Sequence, residues 1–143
     1  MNNILTIDYD NIRYLINNRY ITFNKNKKVL YVNPNKINYK SSFDTLIIKI
    51  KEIEILSCEC HLKYLDITEV INLKQLYCSN NQLQELNINN NINLVHLNCS
   101  NNQLIELNLN NNINLVYLDC SKNQLKEPMD SIHRLKVCLH TLN

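Results

Sequence analysis

A repeat solenoid is the fold class this chain predicts, and three observations predict it. The stretch C-S-N-N-Q-L occupies Cys78 to Leu83 and returns at Cys99 to Leu104, 21 residues later. Leucines return at the same interval, as Leu73, Leu94 and Leu115 and again as Leu76, Leu97 and Leu118. Cys78, Cys99 and Cys120 follow them, then Asn81, Asn102 and Asn123, then Leu83, Leu104 and Leu125. One 21-residue coil cannot bury its own apolar side chains, whereas stacked coils share a continuous core.

Each element of a coil follows from its own residues. Around Gln75 to Ser79, apolar and polar residues alternate at period two, so Leu76 and Cys78 point inward and Gln75, Tyr77 and Ser79 outward. Equivalent strands then make a parallel sheet with rungs about 4.8 Å apart. Glu85 to Ile88 and Glu106 to Leu109 alternate again, which predicts a second short extended segment on the opposite side. A coil this short leaves no room for a full return helix, so extended or tight helical turns are expected there. Asn81, Asn102 and Asn123 fall where the coil turns after its strand. A buried amide there bonds backbone groups of its own and the neighbouring coil, forming an asparagine ladder. The N-I-N-N-N and N-L-N-N-N tracts read as solvated turns.

The array spans 46–128 in about four coils. A further step of 21 upstream puts Ile55, Leu62, Leu65, Ile67 and Ile71 on apolar positions, Ser57 in the cysteine place and Cys60 in the asparagine place. This register leaves Cys58 on an exposed rung. Downstream, Pro128 and Asp130 replace apolar residues and end the repeat. Residues 1–45 read as an N-terminal cap: Asp10 caps a short helix carrying Ile12, Leu15 and Ile16, and a hairpin follows around N-K-N-K. Residues 129–143 read as a C-terminal cap. Ile132, Leu135, Cys138 and Leu142 make it a helix, whereas Leu135, Val137 and Leu139 make it a strand.

The pattern L-x-x-L-x-C-S-x-N-x-L-x-x-L resembles the leucine-rich repeat family over roughly residues 53 to 127. The 21-residue length and the cysteine at the third apolar place are similar to the cysteine-ladder repeats of bacterial internalins. The composition resembles that of repeat proteins of amoeba-infecting giant viruses. The resemblance implies a parallel sheet on a concave face, extended or short helical turns on a convex face, and a protein-protein interaction role.

Composition bounds the function. The 143 residues are 45% hydrophobic, enough for a core, and the formal charge of +2 identifies no partner. No stretch approaches 18 consecutive apolar residues, so no membrane-spanning helix is expected. Asp8 and Asp10 interrupt any apolar leader, and six cysteines then suit a reducing, cytoplasmic setting (host cytoplasm or virion, if the protein is viral). Asn makes up about a fifth of the chain while Gly, Ala and Trp are absent, the mark of an AT-rich genome. Without glycine, left-handed backbone positions fall to Asn and Asp.

No catalytic chemistry is expected, because a chain without glycine has no phosphate-binding loop and no nucleophile elbow. No cofactor is expected either. Cys78, Cys99 and Cys120 lie in a line that does not match a tetrahedral metal site, and Cys58-Glu59-Cys60-His61 lacks a second cysteine pair. Core packing is the simpler role for these thiols. The expected binding face is the outward columns of the sheet, with Glu54, Gln75, His96 and Tyr117 in one and Leu56, Tyr77, Asn98 and Asp119 in the other. These positions vary while the rest of the repeat does not, and Tyr and His suit a protein interface. The alternative partner is nucleic acid, through Lys25, Lys27, Lys28, Lys36 and Lys40 with Tyr31 and Tyr39; self-association is the third reading.

Overall fold

The structure, a computed structural model, describes residues 4–11, 15, 21–32 and 44–126. Nine short strands are described, and they form two sheets. The front sheet has the order β2-β3-β5-β7-β8-β9: Ile21–Asn24, Val29–Val32, Ile55–Ser57, Gln75–Tyr77, His96–Asn98 and Tyr117–Asp119. Only β2 and β3 pair antiparallel; every other pair in this sheet is parallel. The back sheet is β1-β4-β6, Ile4–Ile7, Thr45–Ile48 and Tyr64–Asp66, and it is parallel throughout. From β3 onward the chain alternates front and back, and this winding is that of a solenoid-like repeat.

One leucine per coil faces the core from the front sheet. Leu30, Leu56, Leu76, Leu97 and Leu118 are register partners on successive rungs and are fully buried. The back contributes Leu46 and Leu65, then Leu86 and Leu107, all buried. Glu85 to Ile88 and Glu106 to Leu109 are extended without strand pairing, and Leu86, Ile88, Leu107 and Leu109 point inward in alternation. The hairpin forms around a turn at 25–28, where the Asn24 side chain accepts the Lys27 amide at 2.9 Å. The expected helix shows only Leu15, whose N–H bonds Asn11 O at 3.1 Å; the rest of it lies outside the described residues. Asp8 Oδ1 accepts the amides of Asp10 and Asn11 in the turn that precedes it, while the residues an Asp10 cap would bond lie outside the described ones. The 129–143 segment also lies outside the described residues.

The step between β5 and β7 corrects the register expected for the first coil. Leu56 pairs with Leu76 and Ser57 with Tyr77, an offset of 20 residues rather than 21. Leu62 and Leu83 keep the 21-residue offset, since the Gln82 and Gln103 amides bond Leu62 O and Leu83 O in turn. The missing residue therefore falls in the turn between Cys58 and Leu62, which is one shorter than the turn from Cys78 to Leu83. Strand alternation makes the consequence large, because a one-residue slip exchanges inside for outside. Leu56 and Cys58 are buried and Ile55 and Ser57 face outward, the reverse of the 21-residue reading.

Candidate functional site

Four thiols line the inside of the front sheet. Cys58, Cys78, Cys99 and Cys120 are all buried, so Cys58 belongs to the column from which the sequence register had excluded it. Burial raises the pKa of each, and it pushes the half-buried Cys60 up to about 12. Protonated, enclosed thiols serve as small apolar packing groups. Cys60 Sγ points at Val32 O, 3.7 Å away. No group of three or more His, Cys, Asp or Glu side chains able to hold a metal ion occurs among the described residues.

Asparagine side chains tie the turns together at several levels. Asn102 Nδ2 donates to Cys78 O (2.9 Å), Cys99 O (3.1 Å) and Ser100 O (3.3 Å), while its Oδ1 accepts the Leu83 amide at 3.0 Å. Asn123 repeats this pattern one coil on. Asn81 accepts two amides, from Cys60 and Leu62, across the shortened turn before it. The residues just ahead of this column, Asn80, Asn101 and Lys122, have φ of 56°, 54° and 53°, and His61 has 58°. Two of the four left-handed positions after the strands are thus asparagines standing where glycine is usual.

The N-I-N-N-N and N-L-N-N-N tracts are not wholly solvated. Asn91 and Asn112 are buried, and their Nδ2 groups donate to Ile67 O and Val70 O, and to Ile88 O and Asn91 O. Their neighbours Asn90 and Asn111 are exposed. The sequence cue was present in the 21-residue spacing of Asn91 and Asn112, but the polar run around them concealed it. Ile71, Ile92 and Ile113, by contrast, repeat as apolar residues yet lie exposed, Ile113 at 78%.

The outward face of the front sheet brings the expected contact residues together. Tyr31, Ser57, Tyr77, Asn98 and Asp119 form one column, and Ile55, Gln75, His96 and Tyr117 the other. Ile55 and Ser57 replace Glu54 and Leu56 in the columns read from sequence, for the register reason given above. His96 and Tyr117 stack with ring centroids 4.1 Å apart at 12°, and Tyr77 approaches His96 at 4.9 Å and 41°. Tyr77 also donates its hydroxyl to Gln75 Oε1 at 3.0 Å. Burial in this stack lowers the His96 pKa, which favours the neutral ring. Asn98 and Asp119 each accept the backbone amide and hydroxyl of the serine two residues on, so both also hold turns.

Of the basic residues in the first segment, Lys28 is committed to Glu54 at 2.6 Å, and Lys74 meets the same carboxylate at 2.8 Å. These two ammonium groups lower the Glu54 pKa. Lys25 and Lys27 are exposed on the hairpin turn, and Lys36, Tyr39 and Lys40 lie outside the described residues. Among the described residues no helix is long and apolar enough to cross a membrane.

Fold and face together define a parallel-stranded, solenoid-like repeat with an aromatic patch on its front sheet. No protein-family model and no curated protein matches the chain. Among solved structures it is similar to the functional domain of InlJ from Listeria monocytogenes, described as including a cysteine ladder, at 36% identity and a TM-score of 0.49. The match covers 58% of this chain and 20% of that one, so this chain spans about a fifth of the length of that protein.

Proposed function

We propose that the chain is a non-catalytic interaction module of the leucine-rich-repeat type, which binds a protein partner through the front sheet. In this reading residues 1–45 and 129–143 cap the array, and its setting is cytoplasmic. One observation carries the proposal: His96 contacts both Tyr77 and Tyr117 on the outward columns of a repeat whose inward residues scarcely vary. Rings held against each other lose little freedom on binding and offer apolar area with polar tips, which suits a protein interface. The test is the double variant Tyr77→Ala/Tyr117→Ala in affinity capture from the native host, read by mass spectrometry. The variant should fold as the parent does and lose the main partner. Full capture by this variant, together with loss of capture on substituting Asn90 and Asn111 on the opposite turns, would place the interface elsewhere.

A further inference from the structure

The turns that lead into the front sheet carry aliphatic side chains that do not enter the core. Ile71, Ile92 and Ile113 repeat from coil to coil, as do Val95 and Val116, and all five are exposed. Backbone bonds fix both columns. Asn93 and Asn114 donate from Nδ2 to Ile71 O at 3.2 Å and Ile92 O at 3.1 Å, and the Val95 and Val116 amides bond Lys74 O and Val95 O, each at 2.8 Å. Within a coil Val95 follows Ile92 by three residues, and Val116 follows Ile113, so the columns run side by side no more than about 11 Å apart. Leu94 and Leu115, between them, are buried.

These two columns contain no ionisable side chain beyond Lys74, which closes the valine column at its early end and is met by Glu54 at 2.8 Å. Asn72, Asn93 and Asn114 accompany the isoleucines, and each gives an Nδ2 hydrogen to a carbonyl of the coil before it, which holds the rows in place. Five exposed aliphatic side chains make a patch of a few hundred Å², the size at which an apolar surface on a monomer often marks an interaction site. Elsewhere in residues 71–126 the exposed aliphatic is Ile105, on the turn that leaves the sheet rather than the one that enters it.

We infer that this flank docks against the same flank of a second copy, forming a weak two-fold dimer. The inference does not depend on the front sheet being a binding face. Two properties select a second copy as the occupant. An uncharged aliphatic patch fits another uncharged aliphatic patch, and a two-fold contact supplies one, since each copy presents the surface it receives. The period agrees as well. Rows about 4.8 Å apart interdigitate with rows of the same spacing, as side chains do between packed sheets, and the second copy's flank has that spacing. Size sets the strength. A patch of a few hundred Å² falls short of the roughly 800 Å² per partner of a stable interface, so the dimer should dissociate in the micromolar range or above.

Sedimentation equilibrium of the whole chain, from about 1 μM to about 1 mM, is the experiment. The mean mass should rise from one chain toward two. Ile113→Lys/Val116→Lys replaces the two most exposed members of the patch, at 78% and 60%, and should weaken the dimer at least about tenfold while its urea midpoint stays that of the parent. Ile105→Lys places a charge on the other turn and should leave dimerisation unchanged. A parent that stays monomeric at about 1 mM, a dimer unmoved by the flank variant, or equal weakening by Ile105→Lys overturns the inference. Growth past two chains does so too, because a two-fold contact closes. A monomeric parent whose flank variant unfolds at lower urea gives the flank to other residues of the same chain, and one whose variant loses a captured protein gives it to a different partner; both overturn the second copy.

Discussion

Truncating Asn102 tests the turn column, and the hydrogen bonds set the size of the effect. Three carbonyls accept from Asn102 Nδ2, and each has another donor: Cys78 O takes Asn81 Nδ2, Cys99 O takes Asn123 Nδ2, and Ser100 O takes the Asn80 amide. Among the described residues the Leu83 amide, in contrast, bonds Asn102 Oδ1 alone. Asn102→Ala therefore orphans one buried N–H, at a cost of about 1–3 kcal/mol. Asn81→Ala orphans two, the buried amide of Leu62 and the half-buried amide of Cys60, and should cost at least as much as Asn102→Ala. Asn90 is exposed, has no left-handed φ, and gives one surface bond to Thr68 O, so Asn90→Ala should stay within about 0.5 kcal/mol. Asn102→Asp keeps an acceptor for Leu83 but turns a second oxygen toward three carbonyls, and should be no better than alanine. Urea unfolding reads the series. With a slope of about 2 kcal/mol per molar, Asn102→Ala should lower the midpoint by about 0.5–1.5 M. Equal midpoints for the Asn102 and Asn90 variants, or Asn81→Ala milder than Asn102→Ala, would refute this accounting.

Three further outcomes are expected. Cys58→Ser and Cys99→Ser should each lose about 1–3 kcal/mol by placing a hydroxyl among apolar atoms, and native-state alkylation read by mass spectrometry should find both thiols protected; rapid labelling of Cys58 would restore the 21-residue register. Lys122 has φ of 53°, so Lys122→Gly should stabilise the fold by about 1 kcal/mol or less, read as a raised melting midpoint, where a lowered one would deny the left-handed turn. His96 should titrate below its ordinary 6.5 by NMR. Its folded value is depressed, so the unfolded chain takes up the proton first, and stability falls as pH drops from 6.5 toward the lowered value. His96→Gln should remove that slope, and a slope that persists unchanged assigns it to other groups.

The sequence by itself determined the repeat, because from Leu73 onward the inward leucines and cysteines recur at a constant interval. Leu76, Leu97 and Leu118 had nowhere to go but a shared interior, and C-S-x-N marked where each of their strands ends and turns. The absence of glycine likewise announced that asparagine would occupy left-handed positions, as Asn80 and Asn101 do. Tertiary structure decided whatever depends on how one coil meets the next. The first coil's register slipped by one because its turn from Cys58 to Leu62 is a residue short, and only pairing of β5 with β7 shows which side of the sheet Cys58 takes. Asn91 differs from Asn90 by a single place in a run of like residues, and carbonyls from the preceding coil select which of the two is buried. The contact of Tyr77, His96 and Tyr117 likewise spans three coils. A linear pattern names the residues on a face, but the stacking distance and stagger between rungs decide which of them touch.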